Sequence, residues 1–209
     1  MKLYLYDHCP FCTRVRMPLG LKSISAEEVY LANDDEETPI GMIGAKMVPI
    51  LEDADGHMAE SLDIVAKLDG LSGERMFDAP PQDELLTWMR NWAERVSTLV
   101  IPCAPDPVFP EFATESARAY FTAKKTASLG DFDQLRARTD EYIADMTDGL
   151  RDLVSVLPDA AHPSSDDIHI FPVLRSLTIV DGLEFPAEVE AYTRAMSKAS
   201  GVPLVWDMR

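Results

Sequence analysis

The sequence predicts a small mixed α/β domain followed by an all-helical one. Three observations carry this reading. Strand-type and helix-type spacings alternate over the first seventy or so residues, residues 71–82 (LSGERMFDAPPQ) have the Gly/Pro composition of a linker, and beyond them only helix-type spacing recurs. The division is taken as an α/β domain over 1–72, a linker over 73–83 and a helical domain over 84–209.

Residues 2–6, KLYLY, alternate and are rich in large apolar groups, which predicts a strand. From Pro10 the apolar residues Phe11, Val15 and Leu19 recur every four positions, which marks a helix face; Pro10 suits its first turn and Gly20 lies near its end. Residues 27–32 predict a second strand, and NDDEETPIGMIGAK a polar turn and a weak helix whose acidic start, Asp34 to Glu37, is expected to be solvated. Residues 47–53 predict a third strand, DGH a turn, HMAE a fourth strand, and 61–70 a helix closed by Gly70. After the linker, Leu85, Trp88, Trp92, Val96 and Leu99 share one helical stripe, expected to pack in the core or between domains. Further helices are predicted at about 110–128, 132–156, 164–180 and 186–199; the last but one opens on a capping box, Ser164 to Asp167, and is apolar nearly all round.

A net charge of -17 repels phosphate backbones and anionic lipid, so nucleic acid and membrane surfaces are poor partners, and small molecules and proteins better ones. Met1 to Tyr6 is too short for a signal-peptide core and no stretch is long enough to span a bilayer, which predicts a cytoplasmic protein. Three cysteines make no disulfide scaffold, and in a reducing compartment a Cys9–Cys12 disulfide is transient. A zinc knuckle needs two further ligands; Cys103 stands alone, and His57, His162 and His169 form no spaced pair, so no metal is expected.

Attention therefore falls on DHCPFCTR. A cysteine at a helix start meets unpaired N–H groups and the positive end of the helix dipole, which favour the thiolate. Cys9 is so placed, and Cys12 lies one turn deeper. Exchange requires one exposed thiolate that attacks and a second thiol that displaces the mixed disulfide, which makes Cys9 the nucleophile and Cys12 the resolving thiol. The plainer alternative is two buried core cysteines near a strand end. His8 is expected to be an exposed turn residue, although it could assist the thiolate, and Cys103 a packed helix-end residue. Val48-Pro49 opens the third strand, where the proline is either cis and functional or an ordinary trans residue. Ser61 is placed as the N-cap of the helix after Glu60, either a plain cap or a carboxylate site.

Together CPFC after the first strand, VPIL at the third, ESLDIV, YFTAKK at 120–125 and DIHIFPVLRSLTIV at 167–180 resemble, over the full length, the glutathione-transferase-fold glutaredoxins of the bacterial glutaredoxin 2 type. CPFC stands where CPYC is more usual. The resemblance implies a thioredoxin-like N-terminal domain, an all-α C-terminal domain, and a glutathione-dependent thiol–disulfide oxidoreductase acting on protein disulfides and glutathione mixed disulfides. Glutathione would be a co-substrate, with no tightly bound cofactor, and the protein a monomer. Pro49 would be cis and face the thiols, the Val48 backbone would pair with the cysteinyl unit of glutathione, Glu60 would hold the γ-glutamyl amino group and Ser61 its carboxylate. The glycyl carboxylate needs a cation; Asp7 and His8 stand where small glutaredoxins have lysine, which leaves Arg16, Lys22 and Lys46. The rival readings are a glutathione transferase of the same fold and a non-catalytic interaction protein of the intracellular chloride channel kind; an intact CxxC opposes the first and the lack of a long apolar N-terminal helix the second.

Overall fold

Four short strands, β1 (Lys2–Leu5), β2 (Glu27–Tyr30), β3 (Ile50–Asp53) and β4 (Gly56–Met58), form one sheet in the order β2-β1-β3-β4 in a computed structural model that describes Met1–Arg209. β1 and β2 are parallel, with Lys2 opposite Glu27, so the chain between them must cross over, and α1 (Pro10–Leu21) is that crossover. β3 runs antiparallel to β1 with Ile50 opposite Tyr4, and β4 returns against it. Leu3, Leu5 and Ile50 are fully buried. The third strand starts at Ile50, later than its apolar run, because Pro49 has no N–H for the ladder. α2 (Glu37–Ile43) and α3 (Ser61–Asp69) complete the α/β part.

The rest is helical: α4 (Asp83–Val100), α5 (Glu115–Leu129), α6 (Phe132–Arg136), α7 (Thr139–Leu153), α8 (Ser165–Leu177) and α9 (Ala187–Ser200). Two predicted helices are corrected. The one expected at about 110–128 begins at Glu115, because the Thr114 side chain accepts from Ala117 N at 3.2 Å and ends the preceding 3-10 turn, Pro110–Phe112. The one expected at 132–156 is two helices, since Arg138 leaves the helical region at φ -109°, ψ 13° and caps α7. The Trp stripe of α4 meets α7: Trp88 Nε1 donates to Gly149 O at 2.6 Å, and a Cβ on Gly149 would lie 2.6 Å from the Trp92 ring.

α8 starts as expected. Asp167 Oδ2 accepts from Ser164 N at 2.7 Å while Ser164 Oγ accepts from Asp166 N at 3.3 Å, the reciprocal pattern of a capping box. Its expected all-round burial holds from Ser165 to Leu177, with His169 and Val173 less buried, and Ile179 falls just past its end. One apolar core runs through both parts, from Leu3 to Val205. α1 is central to it: it packs on α3, α8 and α9, so closely that a Cβ on Gly20 would fall 1.7 Å from the Ser200 carbonyl oxygen.

Candidate active site

Cys9 is the N-cap residue of α1, extended at φ -77°, ψ 122°, with Pro10 as the first helical residue. Its carbonyl accepts from Thr13 N at 3.0 Å, which leaves the first N–H groups of the helix directed at its sulfur. Cys12 sits one turn in and fully buried, its sulfur accepting from Tyr6 N at 3.4 Å. The two thiols differ accordingly. The Cys12 S–H is the largest stabiliser of the Cys9 thiolate; burial opposes it, while the charge of His8 and the N–H groups of Cys12 and Phe11 reinforce it, and the Cys9 pKa falls to about 6. Burial, then the neighbouring Cys9 thiolate, push the Cys12 thiol well above its ordinary value. All three cysteines are free thiols, and Cys103 is half-buried in the turn that ends α4, as expected.

His8 is not the exposed turn residue that its neighbours in sequence suggest. Its side chain is 15% exposed, stacked on Tyr6 at 5.9 Å between centroids, and enclosed by Phe112 and Phe121 at 4.8 and 5.4 Å. Nδ1 lies 2.6 Å from Oε1 of Glu111, a fully buried carboxylate of the helical part. Those neighbours lie about a hundred positions along the chain, beyond the reach of a local pattern.

The Val48-Pro49 peptide is cis. Val48 shares with Cys9, Tyr6, His8 and Lys46 the wall of a largely apolar cavity of about 620 Å³ between the two parts of the chain, closed on the far side by α4 and α5. That size falls within the range of small-molecule sites. Glu60, not Ser61, is the N-cap position of α3; it has φ 67°, unusual for a residue with a side chain, and its own side chain is exposed and caps nothing. Ser61 is the first helical residue, buried, and its Oγ accepts from Arg14 Nη1 at 3.2 Å. Ser61 is thereby tied to the helix that carries the thiols, while neither it nor Glu60 lines the cavity.

Arg14 is absent from the sequence reading. It points inward from α1, donating also to Ile168 O at 3.1 Å, and its charge faces Cys9. A basic residue two positions past the second thiol, on the helix that carries both, is the signal that could have found it. Of the three cations considered for a carboxylate, Arg16 is taken by Asp7 and Glu28, and Lys22 by Asp69. Lys46 alone among them reaches the cavity, where Nζ donates to Tyr6 Oη and to the carbonyls of Asn33 and Asp35. The acidic turn before α2 is only partly solvated: Asp35 accepts from Thr38 N at 3.0 Å, and Glu36 reaches Tyr120 and Lys124 of α5.

An acidic thiol over a buried, weakly acidic one, at a helix start on a four-stranded sheet with a helical domain closing the cavity, defines a dithiol oxidoreductase on a glutathione-transferase-like scaffold. Comparison with known proteins is specific. Residues 84–208 match the family model "Glutaredoxin 2, C terminal domain" and residues 3–76 that of "Glutathione S-transferase, N-terminal domain". Glutaredoxin 2 of Escherichia coli K12 is 42% identical over 213 aligned residues, covering 100% of this chain and 99% of its own. The solved structure of Salmonella typhimurium glutaredoxin 2 in complex with glutathione superposes with a TM-score of 0.94 at 42% identity, covering 99% of this chain and 97% of that one. A glutathione S-transferase of Rhodospirillum rubrum, at 18% identity and a TM-score of 0.61 over 99% of this chain and 90% of its own, shares the fold. The chain belongs to the glutaredoxin 2 family, and its activity is that of a glutathione-dependent thiol–disulfide oxidoreductase.

Proposed function

We propose that Cys9 is the attacking thiol and Cys12 the resolving one, and that glutathione lies against the Cys9 and Val48 wall of the cavity and reaches beyond it to the start of α3. The observation that carries this is the contrast between the two sulfurs: one acidic and facing the cavity, the other buried beneath it. The Cys9 thiolate attacks one sulfur of a substrate disulfide, forming a mixed disulfide and releasing the other half as a thiolate that takes a proton from water. In the dithiol route Cys12 gives up its proton, attacks the Cys9 sulfur and expels the second half of the substrate, leaving a Cys9–Cys12 disulfide. Two glutathione molecules then restore the dithiol and leave as glutathione disulfide. In the monothiol route glutathione itself resolves the mixed disulfide.

Val48 lines the same cavity as Cys9, which supports pairing of its backbone with the cysteinyl unit, with Pro49 next to it in the chain. Ser61, at the N-terminus of α3 with the Arg14 guanidinium on its hydroxyl, suits the γ-glutamyl carboxylate. Glu60 is assigned the amino group of the same unit; its unusual φ is the kind of local strain found at ligand-holding positions. Lys46 is assigned the glycyl carboxylate. The protein is read as a monomer, and three free thiols suit a reducing compartment such as the cytoplasm. Protein substrates are disulfide-containing or glutathionylated proteins. The functional division is a thioredoxin-like domain over 1–72 and a helical domain over 84–209, joined by 73–83; the absence of helix or strand from Gly70 to Gln82 supports it.

The test is reduction of hydroxyethyl disulfide with two electron sources. Glutathione with glutathione reductase should support turnover and thioredoxin reductase should not; equal support by thioredoxin reductase would overturn the assigned glutathione site.

A further inference from the structure

The thiols belong to the α/β domain, yet a buried carboxylate from the helical domain reaches to the residue beside Cys9. Glu111 lies in the Pro110–Phe112 turn with its side chain 0% exposed. Its Oε1 accepts from both His8 Nδ1 at 2.6 Å and His8 N at 2.9 Å, and its Oε2 has no partner at all. The turn itself is clamped to the α/β domain, since Glu111 O accepts from Asn33 N at 2.9 Å. The His8 ring is held on its other sides by Tyr6, Phe112 and Phe121. Because Nδ1 is committed to Glu111, Nε2 is the ring nitrogen left free of it.

Arg175 also feels the Glu111 charge, but its N–H groups donate to Asp7 and Pro203, and the one direct ion pair of Glu111 is with His8. Two guanidiniums lie close, Arg16 of α1 and Arg175 of α8, but Asp7 accepts from both, at 2.6 and 2.8 Å, and Glu28 from Arg16 at 2.7 Å. Two positive charges meet two negative ones. A buried ionised carboxylate without a cation is strongly disfavoured, so the pairing falls on His8. Burial opposes ionisation of Glu111, but the hydrogen bonds and charge of His8 outweigh it and hold the carboxyl below the usual range. Facing Cys9 itself are Cys12 and Arg14 of α1 and Tyr6 just past β1, while Lys46, Tyr120, Lys124 and Lys125 line the same cavity; the charge of His8 lowers the thiol, and that of Arg14 also faces it.

We infer that Glu111 is a positioning residue for the thiol chemistry: from the helical domain it fixes the His8 imidazole beside Cys9 and sets a buried counter-charge on its Nδ1 side, opposite the thiolate. The array runs carboxylate, imidazole, thiolate, across the domain boundary. It rests on Cys9 as the attacking thiol, and it makes the helical domain part of the redox site as well as a wall of its cavity.

The test is the pH profile of Cys9 alkylation by iodoacetamide in Glu111→Gln, His8→Gln and the double variant, with urea unfolding beside it. Glu111→Gln keeps the shape and loses the charge; loss of an opposite charge at this range moves a pKa by about one unit or more, so from a value of about 6 labelling at pH 6 should fall about fivefold or more and recover by about pH 9. His8→Gln should shift the profile as far, and the double variant no further than either alone. A merely structural Glu111 would lower the urea midpoint and leave the profile in place, which overturns the inference. So would a double variant whose shifts add. If Glu111→Gln does not fold, His8→Gln decides alone, and an unmoved profile there overturns the inference. A wild-type profile in these variants with Cys9 still the fast-labelling thiol leaves the assignment of the thiols intact; retained fast labelling in Cys9→Ser would instead end that assignment.

Discussion

Two thiols three positions apart can divide attack from resolution only if they differ in acidity, and in this chain the difference comes from position on one helix turn. Cys9 takes the open N–H groups of α1 and the Cys12 S–H; Cys12 takes the apolar interior. At pH 7 Cys9 is therefore expected to alkylate long before Cys12, with a rate that climbs as pH rises through about 6. The sign for stability follows. A depressed folded-state pKa adds stability above the unfolded value near 8.5 that is lost as pH falls through about 6, so the advantage of reduced wild type over Cys9→Ser in urea should shrink over that interval. Cys12 labelling first would reverse the roles. Cys12→Ser should keep reduction of glutathione mixed disulfides and lose most reduction of protein disulfides, whereas Cys9→Ser should lose both; peptide and protein-disulfide assays on the two variants separate the routes, and a Cys9→Ser protein of near-normal activity contradicts the mechanism. The thiols were legible in the sequence because what places them, a strand, a CxxC and a helix start, is local. His8 was not, because Glu111, Phe112 and Phe121 cover it from far along the chain.

At the scale of elements, periodicity found the helices, and single side chains decided where they stop. Thr114 and Arg138 each break a run whose apolar spacing reads as continuous, and Ser61 looks like a cap although Glu60 takes that position with a backbone no side-chain pattern announces. The α8 start is the reverse case, where the local signal suffices. Asp167 is fully buried, and beyond the capping box its Oδ1 accepts from Tyr192 Oη at 2.7 Å. Asp167→Ala thus removes a cap and leaves a buried hydroxyl of α9 without its acceptor, an expected loss of about 1–3 kcal/mol. Burial raises the Asp167 pKa despite the hydrogen bonds from Tyr192 and Ser164. A raised acid binds its proton more readily folded than unfolded, so this group favours folding most at low pH and the favour fades as pH rises. The variant should therefore be measured at neutral pH, by urea midpoint beside Cys9 alkylation. The midpoint should drop and the alkylation rate stay, since Asp167 itself bonds to Ser164 and Tyr192, and the link from the thiol helix to the α8 start, Arg14 to Ile168 O, uses a main-chain acceptor that the substitution keeps; a rate that falls with it would place the cap in the redox site.

For the whole molecule the question is what makes two dissimilar parts one unit. The apolar core is continuous, and α1 approaches α9 so closely at Gly20 that a methyl group has no room. A polar tie lies inside this junction. Arg175 of α8, 1% exposed, donates to the Asp7 carbonyl at 2.6 Å, to Asp7 Oδ1 at 2.8 Å and to Pro203 O at 2.8 Å, so it joins the residue two before Cys9 to both α8 and the segment after α9. Nothing local in the sequence marks this tie: an arginine within a helix and an aspartate after a strand are common, and only the fold brings them together over 168 positions. Removing one member of a buried pair strands the other, at a cost of about 3–5 kcal/mol, whereas removing both leaves apolar or neutral groups that repack. Arg175→Gln alone leaves Asp7 its second partner, Arg16, and should therefore cost less than that, about 1.5–3 kcal/mol for the lost charged hydrogen bonds. Asp7→Asn together with Arg175→Gln should lose less than the two single losses summed, because Arg16 keeps Glu28 as its partner when Asp7 is neutral. Urea unfolding of the four proteins measures the coupling, and it should exceed about 1 kcal/mol for groups in direct contact. Additive losses would mean that Asp7 and Arg175 act separately and that apolar packing alone joins the thiol-bearing sheet to its helical partner.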